Sequence, residues 1–230
     1  MRSRGYGQAF ADAGVTAFLQ AGPVTAREHL AEAIRGSQPG SLVHATALAS
    51  IAEVDASLAD LDGARLAALA AKDEFAALGS ALNVGVIGNN LAAYALALND
   101  IDDALERLRE ALPILRGFGA RAYMLQSIEH YALLAALVQQ HDASMPLLGF
   151  TEFHFRRIGS PRIGVDQLGY ERLIAILERD VEEHRRSALM RAGTLLDDDT
   201  ALAQTRMLHA THQRTAIAHD ARRSHEGVQR

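Results

Sequence analysis

The sequence predicts an all-α fold, a stack of antiparallel helical hairpins. Three observations predict it. First, a pattern recurs at a spacing of forty residues: Ala64, Ala104 and Ser144 each follow a polar turn, and Leu78–Gly79, Phe118–Gly119 and Ile158–Gly159 close the corresponding segments. A glycine just past a helix is the usual left-handed stop. Second, hydrophobic residues make up 49% of the chain but aromatics only 5%. Alanine and leucine supply the difference, and both favour helix over strand. Third, three of the five prolines (Pro23, Pro39 and Pro161) fall between helical patterns. A single hairpin cannot bury its own apolar face, whereas a stack of neighbours can.

Taken in order, residues 1 to about 20 read as an incomplete first helix, broken near Ala13–Gly14. Pro23 precedes a helix over about 24–35, where its missing N–H does no harm. Leu30, Ala33 and Ile34 share one face, and the run from Gly36 to Gly40 stops it. That helix is a fainter copy of the repeat, at a spacing of 38. The next helix spans about 42–58, with Ala47, Ile51 and Val54 at helical spacing. Residues 64–78 return antiparallel after the turn Asp60–Gly63.

The clearest repeat is 81–119, with its turn at Asn99–Asp102. Ile87, Leu91, Tyr94 and Leu98 form one stripe, and Leu105, Leu108, Leu112 and Leu115 form the other. Pro113 should kink the second helix or shift its end. The last hairpin spans 123–140 and 143–157, with Pro146 expected in the first turn of its second helix. A break follows at Ile158–Pro161. Leu168, Tyr170, Leu173, Ile174 and Leu177 then predict a helix over 166–180, and a shorter one spans 181–192. Asp197–Asp199 and Thr200 read as an acidic helix start. The predicted organisation is therefore repeats over 1–160, a helical cap over 161–208 and a polar tail over 209–230.

Composition excludes several classes of function. With no cysteine, disulfides and thiolate metal sites are ruled out. No run reaches the roughly 18 apolar residues of a membrane span. The start of the chain lacks a signal-peptide core, so a cytoplasmic location is expected. A net charge of −5 argues against general nucleic-acid binding, which needs a basic surface. Of the 23 basic residues only Lys72 is a lysine, and it stands in no phosphate-binding glycine loop.

The ordered series Leu147, Leu148, Gly149, Glu152, Arg157, Gly159 and Pro161, followed by Tyr170–Glu171, Gly193 and Asp197–Asp199, resembles one known arrangement. It is similar to the tetratricopeptide-repeat domain at the C-terminus of bacterial ATPase-linked transcriptional regulators, the LuxR/SARP-type and maltose-regulator-like group. The resemblance covers about 24–208. It implies a right-handed superhelix with a small C-terminal cap, a protein or peptide partner such as an ATPase or DNA-binding subunit, and no cofactor. Two departures stand out. The ATPase and DNA-binding modules of that group are missing here, as is tryptophan, and Arg185–Arg186 stand where an aromatic is expected.

The candidate site is positional. Ser50, Asn90 and His130 are spaced by 40, and so are their neighbours Ala49, Asn89 and Glu129. In tetratricopeptide repeats these places line the concave groove. Ser50, Asn89, Asn90, Gln126, Glu129 and His130 are therefore the expected contacts for a peptide, since such side chains hydrogen-bond a backbone. The competing explanation is hydrogen bonding between helices of the stack. A rival function is metabolite sensing inside the superhelix.

Catalysis and metal binding find little support. His209 and His212 share a helical face, but zinc needs three or four ligands, no His-Glu-x-x-His occurs, and Glu183–His184 lacks a second histidine at the needed spacing. The acidic pairs Asp102–Asp103 and Glu182–Glu183 and the run Asp197–Asp199 fit caps and solvated faces. Neither a Gly-x-Ser-x-Gly elbow nor a cysteine nucleophile is present. The basic tail, with Arg206, Arg214, Arg222, Arg223 and Arg230, is diluted by Asp220 and Glu226. No enzyme activity, metal or cofactor is expected.

Overall fold

The computed structural model describes residues 22–208. The expectations for the first helix over 1–20, for His209 and His212, and for the tail over 209–230 lie outside the described residues.

The helices are α1 (Pro23–Gly36), α2 (Leu42–Ser57), α3 (Leu61–Ala77), α4 (Ala81–Ala97), α5 (Ile101–Gly117), α6 (Arg121–Leu137), α7 (His141–Ile158), α8 (Gly164–Asp180) and α9 (Glu183–Gly193), followed by α10 over 198–208. No strand occurs among the described residues. From α3 to α7 a helix begins every 20 residues, so the forty-residue period is two helices long.

The turns explain that regularity. A left-handed residue falls at Ala59, Gly79, Asn99, Gly119, Gln139 and Gly159, with φ between 60° and 69°. At the first five, the N–H one residue later reaches back to a carbonyl of the last helical turn, as Asp60 does to Asp55 and Ala120 to Leu115, both at 2.9 Å. This pairing satisfies carbonyls that the helix end would otherwise leave free. Asp60 and Asp100 then cap the next helix through the N–H of Gly63 and Asp103. Capping by Asp60 starts α3 at Leu61, three residues before the spacing predicts.

Consecutive helices pack as hairpins, α2 with α3, α4 with α5 and α6 with α7, and α1 lies on α2. The N-terminal core is small: Ala45, Ala52, Ala64, Ala68 and Ala71 are almost wholly buried around Phe75, Ile87, Leu91 and Tyr94. Larger side chains fill the second core, among them Tyr131, Phe150, Leu108, Leu125 and Leu134. Leu98 differs from its expected role. It is the cap of α4 and lies 40% exposed, because the helix ends before its turn reaches the core.

Both internal prolines are accommodated. α5 runs through Pro113, and its end keeps the forty-residue register with that of α3. Pro146 lies in the second turn of α7, one turn later than predicted.

Residues after 160 share the core of the hairpins: Leu173, Ile176, Leu177, Ala201, Leu202 and Leu208 join the cluster of α4–α7. α9 crosses α7 closely through two glycines. A methyl group on Gly149 would stand 2.1 Å from the Met190 carbonyl oxygen, and one on Gly193 2.2 Å from that of Pro146. α8 takes a different place. It rests on α2, α4 and α6, the first helices of three successive hairpins.

Candidate functional site

The first helices of the hairpins present one shared face, and α8 lies across it. The chain reaches that face by leaving α7 through the left-handed Gly159 and entering α8 at the left-handed Gly164. Between them Arg162 locks the entry. Its guanidinium bonds both carboxylate oxygens of Glu129, with Nε at 2.7 Å from Oε1, and lies 3.4 Å from Glu152. The rings of Phe155 and Tyr170 flank it at 4.7 and 4.1 Å, a cation–π arrangement. Burial opposes the charge of Arg162, but the bond to Glu129 and the charges of Glu129 and Glu152 hold its pKa above the ordinary value. Thr151 adds a hydroxyl to Glu129 at 3.2 Å. The Tyr170 hydroxyl is pushed up to about 12, by burial and by its bond to Glu152.

In the first turn of α8, Asp166 meets α6. Gln126 donates to Oδ2 at 3.0 Å, and His130 Nε2 lies 3.0 Å from Oδ1. For that contact Nε2 must carry the proton. Further along, Arg172 caps the end of α4 by donating to the Leu96 carbonyl at 2.9 Å and to the Asn99 side chain.

Across the face, Asn90 donates to Glu53 of α2 at 3.2 Å. Glu53 is exposed, although protein atoms crowd its carboxyl. That desolvation and the charge of Asp166 push its carboxyl up to about 7, against the bond from Asn90. The Tyr94 hydroxyl is pushed up as well, by burial and by the charges of Glu53, Asp166 and Asp55.

The predicted residues therefore divide. Gln126, His130 and Asn90 share this face, with α8 bound to the first two. Asn89 does not reach it. It is fully buried and accepts the Ser127 hydroxyl at 2.6 Å, inside the stack. One residue along a helix turns the side chain by about 100°, so Asn89 and Asn90 cannot serve the same surface. Glu129 is 5% exposed and committed to Arg162 and Thr151. Ser50 is half-buried and does not meet Asn90; Glu53, one turn further, does. The hydrogen-bonded pairs are 36 to 40 residues apart rather than all 40 apart.

Two open clefts lie away from this face. One, of 590 Å³, is lined by Arg116, Arg121, Met124, His154 and Asp197–Asp199. There Arg116 and Arg121 are paired with Asp199 and Asp198. The other, of 730 Å³, lies between the start of α7 and the joint of α8 with α9. No cluster able to hold a metal occurs among the described residues, and no described helix is long and apolar enough to cross a membrane.

The chain matches no family model, no curated protein and no solved structure. What the site can do thus follows from its own groups. It offers hydrogen-bonding side chains and the Glu53 carboxylate, whose pKa is raised by its surroundings. Glu53, Arg162, Asp166 and Arg172 escape sequence reasoning. Only Arg162 leaves a faint signal, as the cation just after the Gly159–Pro161 break.

Proposed function

We propose that this protein is a non-catalytic, tetratricopeptide-like interaction module that binds a protein segment on the face shared by α2, α4 and α6. It serves as the sensor or partner-binding part of a bacterial regulator and acts with an ATPase or DNA-binding subunit. One observation carries the reading: His130, picked out by its place in the repeat, and Gln126, another expected contact, bind a length of polypeptide, which is α8. Side chains that recognise one helix in place are chemically equipped to recognise another. The rival, a metabolite held inside the stack, draws less support, since the two clefts described above lie open and off this face.

The test is photocrosslinking inside the source organism, with the reactive side chain at position 53. A discrete product with a second protein, lost on His130→Ala, is expected. Crosslinks confined to the chain itself would sink the reading.

A further inference from the structure

α8 is attached differently from the helices beneath it. It buries only Leu173, Ile176 and Leu177, whereas α6 buries twelve residues and α4 ten. Val165, Tyr170 and Ile174 pack on the cores only partly buried, and polar anchors complete the attachment: Arg162 to Glu129, Asp166 to Gln126 and His130, and Arg172 to the end of α4. Elements with few buried apolar contacts open at lower cost than the core. Left-handed glycines, Gly159 and Gly164, stand at the N-terminal joint. The C-terminal joint is short, and there Arg186 donates to the Glu178 and Val181 carbonyls. Beyond it, the Gly149–Gly193 crossing and the pairs of Arg116 and Arg121 with Asp199 and Asp198 hold α9 and α10 against the stack. Released from its face, α8 would stay tethered at both ends. Glu53 opposes Asp166 with a like charge across that face.

We infer that α8 is a displaceable internal occupant, and that the partner replacing it is an amphipathic helix with the same pattern. That pattern is a carboxylate for Gln126 and His130, an arginine six residues on for the end of α4, and apolar residues seven, ten and eleven places on, as in Asp166, Arg172, Leu173, Ile176 and Leu177. These offsets share one helical face. The inference rests on the reading of this face as a binding surface, and adds that the surface is self-occupied at rest. A tethered occupant weakens an outside partner by the fraction of time the face is open; one part in a hundred open means about a hundredfold weaker apparent binding. Loosening the occupant should return much of that affinity.

The probe is a fluorescent peptide of residues 161–182, titrated into the full chain. Binding to the Asp166→Ala/Arg172→Ala chain should be at least tenfold tighter than to wild type, and adding Gln126→Ala and His130→Ala should abolish it. Equal affinity for wild type and variant would overturn the inference. Hydrogen exchange on the wild-type chain decides independently, even if the variant fails to fold. α8 amides should exchange at least tenfold faster than those of α6, and matching rates would refute displacement. The two ideas fail separately. A position-53 crosslink to a partner that is equally strong in wild type and in the loosened chain keeps the binding face and rejects the internal occupant. Fast α8 exchange and peptide binding without any cellular crosslink do the reverse.

Discussion

Ser127 donates its hydroxyl to Asn89 Oδ1 at 2.6 Å, a fully buried bond that joins the second and third hairpins. Its neighbour Asn90 makes an exposed bond to Glu53. Adjacent asparagines thus have separate duties, and substitution should separate them. Asn89→Ala strands a buried hydroxyl and should cost about 1–3 kcal/mol of stability. Asn90→Ala should change stability by less than about 0.5 kcal/mol, as at other surface positions. Urea unfolding of the two variants checks this; equal losses would place both residues in the stack.

Arg162 and Glu129 test the entry lock. Arg162→Met leaves Glu129 buried without its charge partner, and removing one member of such a pair costs about 3–5 kcal/mol. The double variant Arg162→Met/Glu129→Leu should regain most of that, because no lone charge remains. A double variant as unstable as the single one would show that the ring contacts of Phe155 and Tyr170, not charge balance, hold Arg162 in place.

Glu53 gives a pH dependence. Its carboxyl rises from the ordinary 4.5 to about 7 on folding, so the folded state holds that proton more tightly. The stabilisation is full below about 4.5 and is lost as pH rises through about 7. Its size is reduced by the solvent that Glu53 still meets. Glu53→Gln removes the titration, and the variant's melting temperature should fall less than that of wild type between those two pH values. Parallel curves would show that Asp166 and burial do not act on Glu53.

Three glycines predict opposite signs. Gly149→Ala and Gly193→Ala drive a methyl group into backbone carbonyls at 2.1 and 2.2 Å. Each should cost at least about 1–3 kcal/mol, as overpacking does. Gly169→Ala meets only Leu133 Cδ2 at 3.5 Å, an ordinary contact. In mid-helix it should gain about 0.5–1 kcal/mol. Thermal unfolding reads all three, and tolerance at position 149 would mean that α9 does not sit tightly on α7.

The sequence by itself determined the helices and their turns. Each depends on residues within about five places of one another: Asp60, Asp100 and Asp197 capping N–H groups three residues on, Gly79, Gly119 and Gly159 closing helices, and leucines repeating at helical spacing. Those interactions are local, so a one-dimensional pattern records them. The tertiary structure alone decided what crosses the shared face. Placing α8 there depends on the reversal through Gly159 and Gly164 and on partners far apart in sequence, 33 residues for Arg162 with Glu129 and 76 for Arg172 with Leu96. That Asn89 and Asn90 point apart follows from the helix alone; which of the two faces the stack is tertiary. A forty-residue repeat names equivalent positions, but the packing of neighbouring helices selects which of them touch.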